Sequence, residues 1–362
     1  MKTADQWLAE YPLLGEMREC IQDPEWHAEG DVWTHTLMVR DALHADSEFK
    51  ELPARVQDIL DTAVIWHDCG KPDTRTVTED GHIHHPRHGI KGALRAYAEL
   101  YRGGEYDFDA LKDIYYLIRF HGRPAWVMEE GVKMINEISQ TISCRLLSIF
   151  VRADMNGRVC KNIKSQEDGL AGAKLFRELA EQVNCLDTPY RFDSGFACWD
   201  YFEHRNRDGN FDYQAYDEHA FGVFYTCGFP ASGISTSTRS CNMPVISLDA
   251  IREEMGLEPG EFTGQFLQES AERCRVLMRK KTPFVFDACN VDKRTRQKWI
   301  NFFWEYRGIT HIHHLFKPYK QLLIDNKSRA VYPPERVIEN MINKFQLPDP
   351  FEAPKVTYHY HD

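Results

Sequence analysis

Near Leu186-Asp187-Thr188-Pro189 the hydrophobic pattern of this sequence changes period. A chain that changes period in this way reads as unlike domains in series. Before that point, apolar residues recur at helical spacing, as in Val56-Leu60-Ala63-Val64, Ile114-Leu117-Ile118 and Leu146-Leu147-Phe150-Val151. After it, short apolar runs punctuated by Gly and Pro alternate with helical stretches. These runs are Gly222-Val223-Phe224-Tyr225-Thr226, Pro244-Val245-Ile246-Ser247, Pro283-Phe284-Val285-Phe286 and Thr310 to Phe316. That rhythm predicts a parallel sheet with crossover helices. The expected architecture is multidomain: an all-α domain over 1–185, then an α/β domain over 220–354. An aromatic, charged joint over 186–219 is poor in Gly and Ser and is expected to pack. The tail, 355–362, follows Pro348, Pro350 and Pro354 and is expected to be loosely held.

Composition narrows the partners. Lys and Arg number 44 against 55 Asp and Glu, a net charge of -11. A whole-chain electrostatic grip on nucleic acid is excluded, so any strand contact needs a local basic patch. The stretch from Arg273 to Lys298 is the candidate. No apolar run approaches the ~18–20 residues of a membrane span. The ten cysteines form no C-x-x-C pair and Met1–Trp7 carries no apolar leader, which points to reduced thiols in a cytoplasm.

The histidines fall in telling places. His35 shares a helical stripe with Met38, Val39 and Ala42. His67 lies three residues past Val64, and His121 continues the stripe of Ile114, Leu117 and Ile118. Asp154 continues that of Leu147, Phe150 and Val151. A lone histidine there is an ordinary core residue. Carboxylates and imidazoles on core-facing positions of separate helices are better explained by a shared cation, because an unpartnered buried carboxylate is costly. Such ligands suit Mn, Fe, Co, Ni or Zn alike.

The order His35, His67-Asp68, His88, His121, Asp154 resembles the HD superfamily of metal-dependent phosphohydrolases. The match is closest to the HD domain of some bacterial tRNA nucleotidyltransferases. It runs through His67-Asp68-Cys69-Gly70-Lys71-Pro72, Glu79-Asp80-Gly81-His82-Ile83-His84, Arg119-Phe120-His121-Gly122-Arg123-Pro124 and Arg152-Ala153-Asp154-Met155-Asn156-Gly157-Arg158. The resemblance implies a phosphoesterase acting on 2′,3′-cyclic phosphates and 2′-phosphates. It implies one metal on His35, His67, Asp68 and Asp154. A second would share Asp68 with His88 and His121; both one-ion and two-ion members exist. Lys71 and Arg123 would clamp phosphate.

In the second half, Gly228-Phe229-Pro230-Ala231-Ser232-Gly233-Ile234-Ser235-Thr236 follows a predicted strand. The phosphate-binding motif wants Gly, four residues, Gly, Lys, then Ser or Thr. Gly228, Ser232, Gly233, Ser235 and Thr236 fit, with Ser235 at the magnesium hydroxyl. Ile234 holds the lysine position. Together with Asp249, Arg252, Asp287, Arg294 and Arg296, the series resembles P-loop polynucleotide 5′-kinases over about residues 220–354. By that resemblance Asp249 is the general base for a 5′-hydroxyl and Arg252 contacts the acceptor's phosphate. Asp287 supports magnesium, and Arg294 and Arg296 form a lid over ATP. The whole chain resembles bacterial fusions that heal RNA or DNA strand ends, which implies a separate ligase as functional partner. The missing lysine removes a point charge from the β/γ phosphates. ATP binding is therefore expected to be weak and kinase turnover low or absent, unless another cation such as Arg239 substitutes. A rival reading keeps the HD enzyme but gives it free or cyclic nucleotides, with the P-loop domain sensing nucleotides or binding nucleic acid.

Overall fold

The structure, a computed structural model, describes residues 1–204, 215–234, 242–258, 261, 263–329 and 332–360. The chain divides into two compact units, Met1–Tyr190 and Arg191–Asp362. Among the described residues no helix is long and apolar enough to cross a membrane, and no disulfide joins the cysteines.

The first unit is helical. Its helices are α1 (Ala4–Glu10), α2 (Val32–Ala45), α3 (Ser47–Glu51), α4 (Ala54–Trp66), α5 (Lys71–Thr74) and α6 (His88–Gly103). They continue as α7 (Phe108–Phe120), α8 (Val127–Ser139), α9 (Cys144–Asn156) and α10 (Ile163–Gln182). A small antiparallel hairpin, β1 (Thr76–Val77) and β2 (Ile83–His84), interrupts them. Side-chain caps set several helix starts. Asp31 accepts from the Thr34 amide, Asp107 from Ala110 and Ser143 from Leu146, each satisfying an otherwise orphaned N–H. Helix α4 is buried on every side from Ile59 to Trp66, so it forms the centre against which α2 and α7 pack. Burying it whole also buries Asp61. That carboxylate is matched, by Arg40 Nε and His44 Nε2, both at 2.7 Å.

Gly70 fixes the approach of α6. A Cβ there would lie 2.3 Å from the His88 carbonyl oxygen and 2.5 Å from the Gly92 nitrogen. Only a residue without a side chain lets the turn after α4 touch the start of α6, and this contact carries His88 to Asp68.

The second unit is α/β. Short helix α11 (Gly195–Trp199) and a π turn precede a five-stranded sheet. The strands are β3 (Phe221–Gly228), β4 (Val245–Ser247), β5 (Phe284–Asp287), β6 (Gly308–Phe316) and β7 (Lys355–Tyr360). The spatial order is β4-β5-β3-β6-β7, and all neighbours are parallel. Helices α12 (Leu248–Glu254), α13 (Gly264–Arg279), α14 (Lys293–Glu305), α15 (Tyr319–Lys327) and α16 (Glu335–Lys344) complete it. Phe284, Val285 and Phe286 are fully buried, as expected of a strand covered on both faces.

The division between the units falls at Tyr190–Arg191, within the expected joint of 186–219. Aromatic packing explains this, since Phe196 and Trp199 are buried against Trp304 at 5.6 and 5.1 Å. The expected looseness of the tail is corrected over 355–360. Lys355–Tyr360 pairs along β6 from His311 to Phe316. Its Val, Thr and Tyr residues favour a pleated edge strand, and the prolines lie before the strand, not in it.

Candidate metal centre and nucleotide pocket

In the first unit, elements remote in sequence deliver their polar side chains to one carboxylate. His35 projects from α2, His67 ends α4, His88 opens α6, His121 ends α7, and Asp154 lies in the last turn of α9. Asp68 stands among them. Its Oδ2 is 3.1 Å from His67 Nε2 and 3.7 Å from His35 Nε2. Its Oδ1 is 3.4 Å from His88 Nε2 and 3.7 Å from His121 Nε2. Asp154 Oδ1 is 3.1 Å from His35 Nε2. His35, His67, Asp68, His121 and Asp154 are all buried. His88, with its side chain 26% exposed, marks the open side.

The tautomers show what these rings are set up to do. His67 Nδ1 donates to the Val64 carbonyl, His88 Nδ1 to His85 and His121 Nδ1 to Ile118, at 2.7 to 2.8 Å. A carbonyl can only accept, so the proton sits on Nδ1 and each Nε2 presents a lone pair. His88 Nε2 and His121 Nε2 face each other at 3.1 Å. Burial pushes His88 down to about 3 and His121 to about 4, so at neutral pH no extra proton fills that gap. His67 Nε2 and Asp68 Oδ1 are buried without a hydrogen-bond partner. Asp61, equally buried, has no such deficit. Opposed lone pairs around an ionised carboxylate fit a divalent cation, and the nitrogen and oxygen donors are ordinary transition-metal ligands.

Neighbouring charges hold the cluster ionised. Burial alone would raise the Asp68 pKa, but the Lys71 ammonium beside it more than offsets this and keeps it well below the usual range. Lys71 Nζ is 2.7 Å from Asp68 Oδ2 and donates to Gln22 Oε1. Asp154 is likewise held low despite burial, chiefly by Arg158, whose Nη2 lies 3.3 Å away. Arg123, the other expected phosphate clamp, is engaged by Glu137 at 2.9 Å and by Glu130.

Sequence reasoning missed Glu29 and His27. Glu29 Oε1 is 2.8 Å from His35 Nδ1 and 2.9 Å from His27 Nδ1. Glu29 thus orients His35 so that Nε2 faces the cluster, the usual role of an outer carboxylate. Both residues lie in an irregular segment without periodicity. The nearby spacing of His27, Glu29 and His35 was the available signal.

In the second unit Gly233, Asp249 and Asp287 gather at the carboxyl edge of the sheet, where ligands of open α/β folds bind. A cavity of about 340 Å³ is lined by the loop after β3, including Gly233 and Ile234. Asp249 after β4, Asp287 at the end of β5 and Lys317 after β6 complete its polar lining with Asp325 and Arg329. Gly228 makes the loop possible: a Cβ there would stand 2.8 Å from the Leu315 carbonyl oxygen. Ser232 is fully buried beneath it. Asp287 is pushed up to about 6 by burial, with Asp249 adding to the effect. Asp249 pairs with Arg252, which is itself buried. Ser235, Thr236 and Arg239 lie outside the described residues.

The expected lid fares differently. Arg294 is exposed in the first turn of α14. Arg296 is wholly buried, with Nε 2.6 Å from Glu352 Oε1 and Nη2 3.0 Å from Oε2. A guanidinium locked inside the unit does not close over ATP, so the lid assignment of Arg296 is corrected to a structural clamp on the 349–352 segment. The proposed basic patch is also muted. Arg273 pairs with Glu254 and Glu269, and Arg275 and Arg279 with Glu272.

A family model described as an AAA domain, AAA_33, matches residues 223–348. No curated protein matches the sequence. Among solved structures, a chain from the Pnkp1/Rnl/Hen1 complex is 18% identical, with a TM-score of 0.28, over 33% of this chain and 43% of that one. A gluconokinase from Sinorhizobium meliloti 1021 is 14% identical, with a TM-score of 0.30, over 40% of this chain and 84% of that one. This chain thus spans less than half the length of the first of these. Likenesses this weak carry no argument about substrate.

Proposed function

We propose that the first unit is a metal-dependent phosphoesterase of the HD type, acting on 2′,3′-cyclic phosphate and 2′-phosphate ends of RNA. The second unit is, on this reading, a nucleotide-binding module related to 5′-hydroxyl polynucleotide kinases. The observation that carries the first part is Asp68. Its two oxygens face two pairs of imidazole nitrogens, His35 and His67 on one side, His88 and His121 on the other.

His35, His67, Asp68 and Asp154 would hold one ion, and His88 and His121 offer ligands for a second that shares Asp68. A divalent ion bound there supplies Lewis acidity, activating water and neutralising phosphoryl charge. The protein's own groups set the electrostatics around it. Asp68 and Asp154 are balanced by Lys71 and Arg158, so a divalent ion leaves the site cationic and suited to a phosphate. His88, on the open side, would meet the substrate first. Opening a cyclic phosphate breaks one P–O bond to the ribose, and releasing phosphate from the monoester that results takes a second water and breaks the other. In each step the water oxygen takes that place on phosphorus, and its proton ends on the released ribose oxygen.

The second part rests on the loop after β3 and the polar lining of the cavity. Ile234 predicts low 5′-phosphorylation, with ends passed to a ligase in either case. A metal-titrated phosphate-release assay on an oligonucleotide ending in 2′,3′-cyclic phosphate tests the reading. Release is expected to stop on chelation, to return when a divalent ion is added back, and to fall about 10²- to 10⁴-fold in Asp68→Ala. Equal or faster turnover of free cyclic nucleotides would replace strand ends as the substrate.

A further inference from the structure

The phosphate loop lacks its cation, yet the cavity does not. Ile234 occupies the lysine position, is 8% exposed, and lines the cavity with hydrocarbon. Lys317 lines the same cavity from the neighbouring strand. The sheet register explains how it gets there. Gly228, the last residue of β3, is paired with Leu315 of β6, and Lys317 lies two residues further along. Because the strands are parallel, the loop and the lysine leave the sheet at the same edge, side by side. Lys317 Nζ donates to the Ala231 carbonyl, inside the loop, at 2.8 Å, and pairs with Asp325 Oδ2 at 2.5 Å. Its side chain is 16% exposed, so the charge is held in a shielded place where it counts for more than on the surface.

We propose that Lys317 takes the phosphate-binding role left vacant at position 234, contacting the terminal phosphates of a nucleoside triphosphate. The inference rests on the reading of the second unit as a nucleotide-binding module. On entry of the triphosphate, the ammonium exchanges the Asp325 carboxylate for a phosphate oxygen. Its donor count is unchanged, and its hold on Ala231 keeps it beside the loop. Among the described residues lining the cavity, Arg329 is the other cation. It is exposed and comes from beyond α15, so the register of β6 does not fix it against the loop.

The test titrates the full chain with ATP, ADP and AMP in the presence of magnesium by calorimetry. Lys317→Met is expected to weaken ATP by about tenfold or more, the loss of one charge-assisted hydrogen bond. AMP, which lacks the terminal phosphates, should be unchanged. Adding Ile234→Lys to Lys317→Met should recover ATP affinity, because it returns the charge from the other side. A Lys317→Met protein that binds ATP as the wild type does would overturn the proposal. So would one that loses ATP and AMP equally, which marks a structural clamp. Should Lys317→Met fail to fold, Asp325→Asn carries the test. Removing the competing carboxylate should tighten ATP about threefold while leaving AMP alone, and unchanged or weaker ATP binding overturns the idea. A wild type that binds neither ATP nor AMP removes the nucleotide reading itself. Wild-type binding with an indifferent Lys317→Met removes this inference alone.

Discussion

The cluster around Asp68 and the cavity beside Gly228 both gather polar groups, but they are made of different materials. In the first unit the groups are side chains at fixed positions on packed helices. Each imidazole spends one nitrogen on the backbone or on Glu29 and aims the other inward. No spare residue can replace one of them without moving a helix. In the second unit the frame is backbone at the edge of a parallel sheet, and side chains arrive from the ends of several strands. A charge absent at one position can be offered from another. The contrast teaches that a missing motif residue is more serious in the helical unit than in the sheet.

The strongest way to break this contrast is Asp68→Ala. Removing the shared carboxylate should abolish retained metal, read by elemental analysis of the purified protein. Phosphate release should fall about 10²- to 10⁴-fold, the several kcal/mol a Lewis acid contributes. Activity near wild type would mean the cluster is not the reacting centre.

Arg296→Ala should act on stability instead. It leaves Glu352 buried without its partner, which costs about 3–5 kcal/mol. Hydrogen exchange should show lost protection in α14 and in the 349–352 segment, with metal retention in the first unit unaltered. A cost below about 1 kcal/mol would mean that the pair is no better than a surface contact.

Much of this was legible in the sequence, for physical reasons that differ between units. Helical spacing placed His35, His67, His121 and Asp154 inside, because an amphipathic stripe reports burial directly. The strands were legible because short β-rich runs lay between Gly and Pro. Arg296 was misplaced because a motif position says nothing about which way a helix faces, and its partner Glu352 lies 56 residues on. Glu29 was not found because outer carboxylates sit on irregular backbone, which has no period to read. Lys317 was invisible because it reaches the loop through strand register, a property of the paired sheet rather than of either strand.

Glu29→Gln sharpens the comparison from within the first unit. The amide keeps the shape of the carboxylate but not its charge, so His35 loses its fixed orientation and some basicity. Metal affinity should drop about 10- to 100-fold, measured by titrating the ion into chelator-treated protein. The unfolding midpoint of the metal-free protein should barely move. Unchanged affinity would reduce Glu29 to packing.

The smallest effect is a difference in pH response. His314 is buried between Phe345, stacked at 5.3 Å, and the edge of Tyr358 at 6.0 Å. Burial pushes its pKa down to about 3, against 6.5 in an unfolded chain. Between those values the unfolded state takes up a proton that the folded state refuses. This residue therefore makes the second unit more stable as pH rises, by about 1.4 kcal/mol per pH unit, levelling off above about 6.5. Asp113 in α7 has the opposite sign. Burial raises it to about 6 from 3.8, so the folded state holds a proton the unfolded one has lost, and its contribution falls as pH rises through that window. Exchange protection in β6 and in α7, corrected for intrinsic rates, should diverge between about pH 4.5 and 6. His314→Phe, which keeps the stacking, should flatten the β6 trend, and Asp113→Asn the α7 trend. If neither substitution alters its own slope, these two groups do not set the pH response of their units.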